Sequence, residues 1–85
     1  LEDKILSIIK IKKNVILLGD FNYTNIFELF SKLKDKMKCV YEDENTRKDK
    51  QIDYILTTKN IKHNNYKIIE TRFDHRLCVA ELTID

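Results

Sequence analysis

Hydrophobic residues recur at helical spacing in two stretches of the chain. Residues 1–11 predict an amphipathic helix with an apolar stripe formed by Leu1, Ile5, Ile8 and Ile9. The clearest pattern runs from Asn25 to Met37 and predicts a helix that packs through Ile26, Leu29, Phe30, Leu33 and Met37. Asn25 and Glu28, three residues apart, are typical of a capping box at the start of this helix.

Continuous or alternating apolar residues predict strands in the rest of the chain. Val15–Leu18 is a continuous apolar run, as expected of a strand covered on both faces. Further strands are predicted at 38–41, 51–57, 66–69 and 77–84, with a charged loop at 42–50. This order predicts an α/β (α+β) unit with one mixed sheet and flanking helices.

Composition narrows the class of protein. The 85 residues make one small domain or a piece of a larger one, and their 42% hydrophobic content argues against wholesale disorder. A net charge of +2 is too small to establish a nucleic-acid partner, and no apolar run approaches the length of a membrane span. Cys39 and Cys78 lack metal-site spacing, so we expect buried free thiols in an intracellular protein.

The only glycine, Gly19, directly follows the apolar run that ends at Leu18. Glycine suits a sharp exit from a strand, since it tolerates unusual backbone angles and close packing. Asp20 and Asn22 would then project from the carboxyl end of the strand, where open α/β sheets usually build their sites. An equally weighted alternative is a turn in which these two side chains only satisfy the backbone.

Two further polar signals interrupt apolar strands. Asp53 lies within the apolar segment QIDYIL, where a buried carboxylate is costly unless it is paired; the alternative is an edge strand with Asp53 in water. Asp74 and His75 come just before the last apolar strand, and the alternative there is a solvated pair. The other histidine, His63, lies in a polar stretch without a visible partner and is expected at the surface.

Taken in order, GDFN, IDYI and DH followed by a hydrophobic strand resemble the endonuclease/exonuclease/phosphatase superfamily. Within it, TRKDKQIDYILTTKNI and DHRLCVAELTI are most similar to the endonuclease domains of non-LTR retrotransposons, relatives of the abasic-site endonucleases. The resemblance implies that residues 1–85 are the C-terminal portion of a two-sheet α/β sandwich of the deoxyribonuclease type. A first residue that is not Met, in a segment that is already amphipathic, leads to the same expectation.

The resemblance also implies a chemistry and roles for named residues. It implies hydrolysis of phosphodiesters with Mg²⁺ or Mn²⁺, foremost nicking of DNA in the nucleus or cytoplasm. Asp20 would orient and deprotonate the attacking water, while Asn22 and a protonated His75 would stabilise charge on the phosphoryl oxygens. Asp53 would hold the second ring nitrogen of His75, and Asp74 would lie at or beside the metal.

Three departures from the superfamily pattern qualify this expectation. Phe73 replaces the usual serine before the Asp-His pair, so a loop-shaping hydroxyl is missing, and the segment between Asn22 and Asp53 is short. The N-terminal half, which supplies a metal-binding glutamate, has no counterpart here, so we expect the 85-residue chain alone to be an inefficient nuclease. The alternatives are a phosphoesterase acting on a small-molecule or lipid phosphate, and an inactive remnant that serves as a structural or binding module.

Overall fold

Helices and strands form at most of the predicted positions, but with different lengths. The computed structural model describes all residues from 1 to 85. Its elements, in chain order, are α1 (Glu2–Ile11), β1 (Ile16–Asp20), α2 (Ile26–Leu29), a 3-10 turn (Leu33–Asp35), β2 (Met37–Cys39), β3 (Asp53–Thr58), β4 (Lys62–Ile69) and β5 (Leu77–Thr83). The protein is therefore a small α+β domain, as its apolar pattern predicts.

The strands form two antiparallel sheets, so the predicted single mixed sheet is wrong. One sheet has three strands in the order β1-β3-β2, and the other pairs β4 with β5. Both edges of β3 are occupied, by β1 and β2. The two later strands pair with each other and form a second, separate sheet.

The predicted helix from Asn25 to Met37 is also wrong in its extent. Only Ile26–Leu29 is α-helical, and Met37 begins β2, where it pairs with Thr58. Four of the five predicted core residues are nevertheless buried, namely Ile26, Phe30, Leu33 and Met37, whereas Leu29 is 43% exposed. A short helix, a 3-10 turn and a strand therefore bury most of the residues that a continuous helix would bury.

Long-range hydrogen bonds to Glu2 favour the shorter helix. The carboxylate of Glu2 accepts hydrogen bonds from the backbone N–H groups of Lys32 (2.8 Å) and Leu33 (3.3 Å), which satisfies these donors outside a helix. At the start of α2, the Asn25 amide contacts the Glu28 carboxylate at 3.3 Å, but the Asn25 side chain makes no cap bond to the backbone. The predicted capping box is therefore only half formed.

The core lies on one face of the three-stranded sheet. The helices and the 3-10 turn contribute three members, the residue after α2 contributes one, and β2 and β3 contribute three: Ile5, Ile26, Leu33, Phe30, Met37, Tyr54 and Leu56. On the opposite face, Ile16 and Leu18 of β1 are exposed and line a cleft of about 450 Å³ between the two sheets. That cleft reaches Asp20 and Asp53 at the ends of their strands. Neither helix combines the length and apolar character needed to cross a membrane.

The cysteines are both free and half-buried. Burial, together with the charge of Glu42, raises the pKa of the Cys39 thiol to about 11, and burial also raises the pKa of Cys78. Both thiols are therefore protonated and poorly nucleophilic at neutral pH.

Gly19 owes its place to its backbone angle and not to close packing. Its φ of +151° is one that L side chains rarely adopt, whereas a Cβ added there would meet no atom within 4 Å. The unusual backbone angle expected of Gly19 is therefore confirmed, but the predicted strand end and the close packing are wrong, since β1 continues through Gly19 to Asp20.

Replacing Gly19 by Ala should destabilise the domain by about 1–3 kcal/mol, because the new Cβ strains the backbone without gaining a contact. Chemical denaturation of the two proteins measures this difference. A loss below about 0.3 kcal/mol would show that the chain near Gly19 adjusts its φ freely, within the range of ordinary surface substitutions.

Candidate active site

The carboxylates of Asp20 and Asp53 meet because of the antiparallel register of β1 and β3. Asp20 is the last residue of β1, Asp53 is the first of β3, and the two lie directly opposite each other. The ladder continues one step further through the Phe21 N–H, which donates to the Ile52 carbonyl at 2.9 Å. The ends of these two strands therefore bring two acidic side chains to one edge of the sheet.

His75 completes the group from the loop before β5. Its Nδ1 lies 2.8 Å from Asp53 Oδ2, and its Nε2 lies 3.7 Å from Asp20 Oδ2. An ionised carboxylate can only accept a hydrogen bond, so Nδ1 carries a proton and donates to Asp53. Nε2 is then the nitrogen that faces Asp20 and the open side of the site.

Burial within the group is graded. The Asp53 side chain is 17% exposed, whereas those of His75 and Asp20 are 39% and 46% exposed. The edge-strand alternative for Asp53 is wrong, because β3 is the central strand and the Asp53 carboxylate is paired. Asp53 therefore anchors the group on its buried side, while Asp20 and His75 are accessible to solvent, as a site for an external substrate requires.

Asn22 and Asp20 share a tight turn after β1. The Asn22 N–H donates to Asp20 Oδ1 at 2.8 Å, and Asn22 has a φ of 50°. Both interpretations of this segment are therefore partly correct, since one oxygen of Asp20 satisfies the backbone while the other faces His75. The Asn22 side chain is exposed two residues beyond Asp20.

Asp74 lies apart from this group despite being next to His75 in the sequence. Its exposed carboxylate is 3.7 Å from the Arg47 guanidinium. The potential metal-ligating atoms that lie within 4.8 Å of one another belong to Asp20, Asp53 and His75. Because Asp53 already accepts from His75, Asp20 is the carboxylate most available to a cation, and one or two carboxylates with several waters suit Mg²⁺.

Thr46 is a contributor whose role the sequence did not predict, although it begins the segment TRKDKQIDYILTTKNI that carries part of the resemblance. It is fully buried, and its hydroxyl oxygen accepts hydrogen bonds from the N–H groups of Ile52 and Asp53, each at 3.0 Å. Its carbonyl accepts from the Arg76 N–H at 2.6 Å. A threonine in a charged stretch gave no sign of burial, because loop folding alone brings these backbone groups to it.

Thr71 provides a hydroxyl to the loop in which Phe73 stands in place of the usual serine. Its Oγ1 accepts from the Phe73 N–H at 3.0 Å and donates to the His75 carbonyl at 2.8 Å. Phe73 itself is 79% exposed. The expectation that the loop lacks a shaping hydroxyl is therefore wrong, because the hydroxyl comes from two residues earlier.

His63 was predicted to be an unpartnered surface residue, and this is wrong. It is half-buried in β4, and its Nε2 lies 2.6 Å from Thr57 Oγ1. Burial, helped by the nearby charge of Lys38, lowers the pKa of His63. Since Thr57 lies four residues beyond Asp53 along β3, His63 belongs to the packing between the sheets and not to the site.

Comparisons with other proteins add no family to this picture. No protein-family model matches the chain, and searches of curated proteins and of solved structures give no match.

Proposed function

We propose that this chain forms part of a metal-dependent phosphodiesterase, foremost a DNA-nicking endonuclease. The supporting observation is the hydrogen bond of 2.8 Å between Asp53 Oδ2 and His75 Nδ1, with His75 Nε2 turned towards Asp20. A largely buried carboxylate that orients an imidazole beside a second, more accessible carboxylate is an arrangement suited to acid-base chemistry.

Each residue has a distinct task in this proposal. Asp20, which is accessible at the end of β1, orients the attacking water and takes its proton. Protonated His75 donates from Nε2 to a phosphoryl oxygen. Asp53 holds Nδ1, so Nε2 is the nitrogen that points outward. The distance of 3.7 Å between Nε2 and Asp20 exceeds a normal hydrogen bond, so neither group is committed to the other before substrate binds.

A divalent cation would supply charge stabilisation at the phosphate and the leaving oxygen. The resemblance implies that Asp74 lies at or beside that cation, whereas in the structure Asp20 belongs to the site and Asp74 lies apart from it. Asp74 would have to exchange its exposed contact with Arg47 for the cation. Because such exposed ion pairs contribute about 0–1 kcal/mol, this exchange is energetically accessible.

The segment that leads to the site carries more basic than acidic residues, which suits phosphate contacts but is also ordinary for a solvated surface. Between Lys59 and Arg76 the chain has five basic and two acidic residues, and Arg72, directly before Phe73, is exposed. Phosphate contacts from such residues would position DNA without reading its sequence. A small-molecule or lipid phosphate offers fewer phosphates to these residues, so we place DNA first.

A plasmid-nicking assay with Mg²⁺ or with chelator tests the proposal. We expect metal-dependent nicking from a polypeptide that joins residues 1–85 to the N-terminal half implied by the resemblance, and much slower nicking from residues 1–85 alone. Magnesium binds poorly when few ligands are fixed, which accounts for the difference. His75→Gln should abolish the activity, whereas His63→Gln, which changes the chain's other histidine, should leave it unchanged.

Three results would count against the proposal. A folded longer polypeptide without metal-dependent activity would indicate an inactive remnant. Faster hydrolysis of a phosphomonoester or a lipid phosphate than of plasmid would favour the alternative substrate class. Equal losses in His75→Gln and His63→Gln would show that neither histidine acts at the reacting phosphate.

A further inference from the structure

We propose that Thr46 is the positioning residue that aligns Asp53 with His75. Thr46 lies in the loop between β2 and β3, outside all three motifs, yet it is fully buried. Its side chain contacts the segment that carries Asp53, and its backbone contacts the segment that carries His75. One residue therefore connects the two elements whose side chains must meet.

On the Asp53 side, the Thr46 hydroxyl fixes the start of β3. Two consecutive amides, those of Ile52 and Asp53, converge on Oγ1 at 3.0 Å each. A hydroxyl oxygen has two acceptor lone pairs, so it can satisfy both amides at once. The Asp53 carbonyl is held separately by the Tyr41 hydroxyl at 2.8 Å, so the backbone of Asp53 is fixed on both sides of its Cα.

On the His75 side, the backbone of the same loop bonds to the segment that precedes β5. The Thr46 carbonyl accepts from the Arg76 N–H at 2.6 Å, and the next residue, Arg47, forms an antiparallel bridge with His75. A shift of Thr46 would therefore move Asp53 and His75 relative to each other. Small misplacements of this kind can lower a reaction rate by on the order of 10²-fold.

Imidazole ¹⁵N spectra of the folded 85-residue chain test this inference without any activity. Thr46→Val keeps the shape but removes the shared acceptor, so we expect His75 to lose its fixed Nδ1–H tautomer and to show a mixture of tautomers. Thr46→Ser restores the hydroxyl and should restore the tautomer. The second histidine, His63, serves as an internal reference in the same spectrum.

Thr57→Val is the matched control. Thr57 is also fully buried, lies on β3 and has a hydrogen-bonded hydroxyl, but its partners are Thr58 and His63. This variant should change the His63 signals and leave those of His75 unchanged. An unchanged His75 spectrum in Thr46→Val, or an equal change in Thr57→Val, would overturn the proposal. If Thr46→Val does not fold, the test is Thr46→Ser. A folded Thr46→Ser protein in which His75 lacks the fixed Nδ1–H tautomer would also overturn the proposal.

The rate effect rests on the proposed function, whereas the spectroscopic effect does not. In a polypeptide that nicks DNA, Thr46→Val should lower the turnover rate ~10- to 10²-fold, and Thr46→Ser should recover most of it. A chain with the expected His75 spectra but no nicking would refute the nuclease and leave the positioning role intact. Normal nicking by Thr46→Val would refute the positioning role and leave the nuclease intact.

Discussion

Asp53→Asn should lower the turnover of metal-dependent nicking at least ~10²-fold, a scale typical of losing a positioned acid-base group. The Asp53 carboxylate accepts the Nδ1 proton of His75 at 2.8 Å and thereby leaves Nε2 to face the substrate. An asparagine amide can instead donate to Nδ1, which would stabilise the tautomer with its proton on Nε2 and remove the balancing negative charge. His75 could then donate from Nε2 only as a neutral imidazole, a weaker donor than the imidazolium that the Asp53 carboxylate balances.

The same substitution should leave folding nearly intact. Asn has the shape of Asp, and the backbone bonds that anchor this position do not involve its side chain. The Asp53 N–H still donates to the Thr46 hydroxyl, and the Asp53 carbonyl still accepts from Tyr41. The substitution therefore separates the chemistry of the pair from the stability of the sheet.

Steady-state nicking rates and denaturant unfolding, measured on the same preparations, check this prediction. Asp35→Asn is the control, since Asp35 is exposed and lies in the 3-10 turn before β2. The first residue of β2 pairs with Thr58, at the end of β3 remote from Asp53. It should change neither the rate nor the stability. Indistinguishable rates for Asp53→Asn and the unsubstituted protein would remove the assigned Asp53–His75 pair from the mechanism.

The meeting of the three motifs was predicted from the resemblance and not from the apolar pattern. The pattern alone left open an edge strand for Asp53 and a solvated Asp74–His75 pair. In the structure, Asp20 ends β1 and Asp53 begins β3, and antiparallel pairing makes them opposite partners. The apolar runs located these strands approximately, but they did not predict how the strands pair.

The groups that support the site could not be predicted in the same way. Thr46 and Thr71 act through hydrogen bonds to backbone atoms, and such bonds depend on how loops are placed in the folded chain. Their side chains show no periodicity, and a threonine in a loop is ordinarily solvated. The prediction of a single sheet was wrong for a related reason, because the partners of each strand depend on the topology of the whole chain.

The failed prediction for Asn25 to Met37 shows a limit of hydrophobic spacing. Positions three and four residues apart indicate one buried side, but they do not require every intervening turn to be helical. In the structure, the backbone of Lys32 and Leu33 bonds to Glu2, and Met37 joins a strand. The pattern therefore identified buried residues more reliably than it identified the element that buries them.

Leu33→Ala should destabilise the domain by roughly 2–5 kcal/mol, the range for truncating a fully buried leucine. Leu33 has no exposed surface and belongs to the core that joins α1, α2 and β3. Its position at the start of the 3-10 turn is fixed by backbone bonds to Phe30 and Glu2, so neighbouring side chains have little freedom to fill the space left behind. The expected loss therefore includes both the transfer of the side chain and the cavity.

Leu29→Ala distinguishes the observed fold from the predicted continuous helix. A helix from Asn25 to Met37 would bury Leu29 and Leu33 on one side, whereas the structure leaves Leu29 43% exposed. We therefore expect a loss for Leu29→Ala well below that for Leu33→Ala, at about 1 kcal/mol or less. Urea unfolding of both variants, with the slope compared to confirm equal exposure on unfolding, measures the two losses. Equal large losses would favour the continuous helix, and a loss below about 0.5 kcal/mol for Leu33→Ala would show that this residue does not lie in the core.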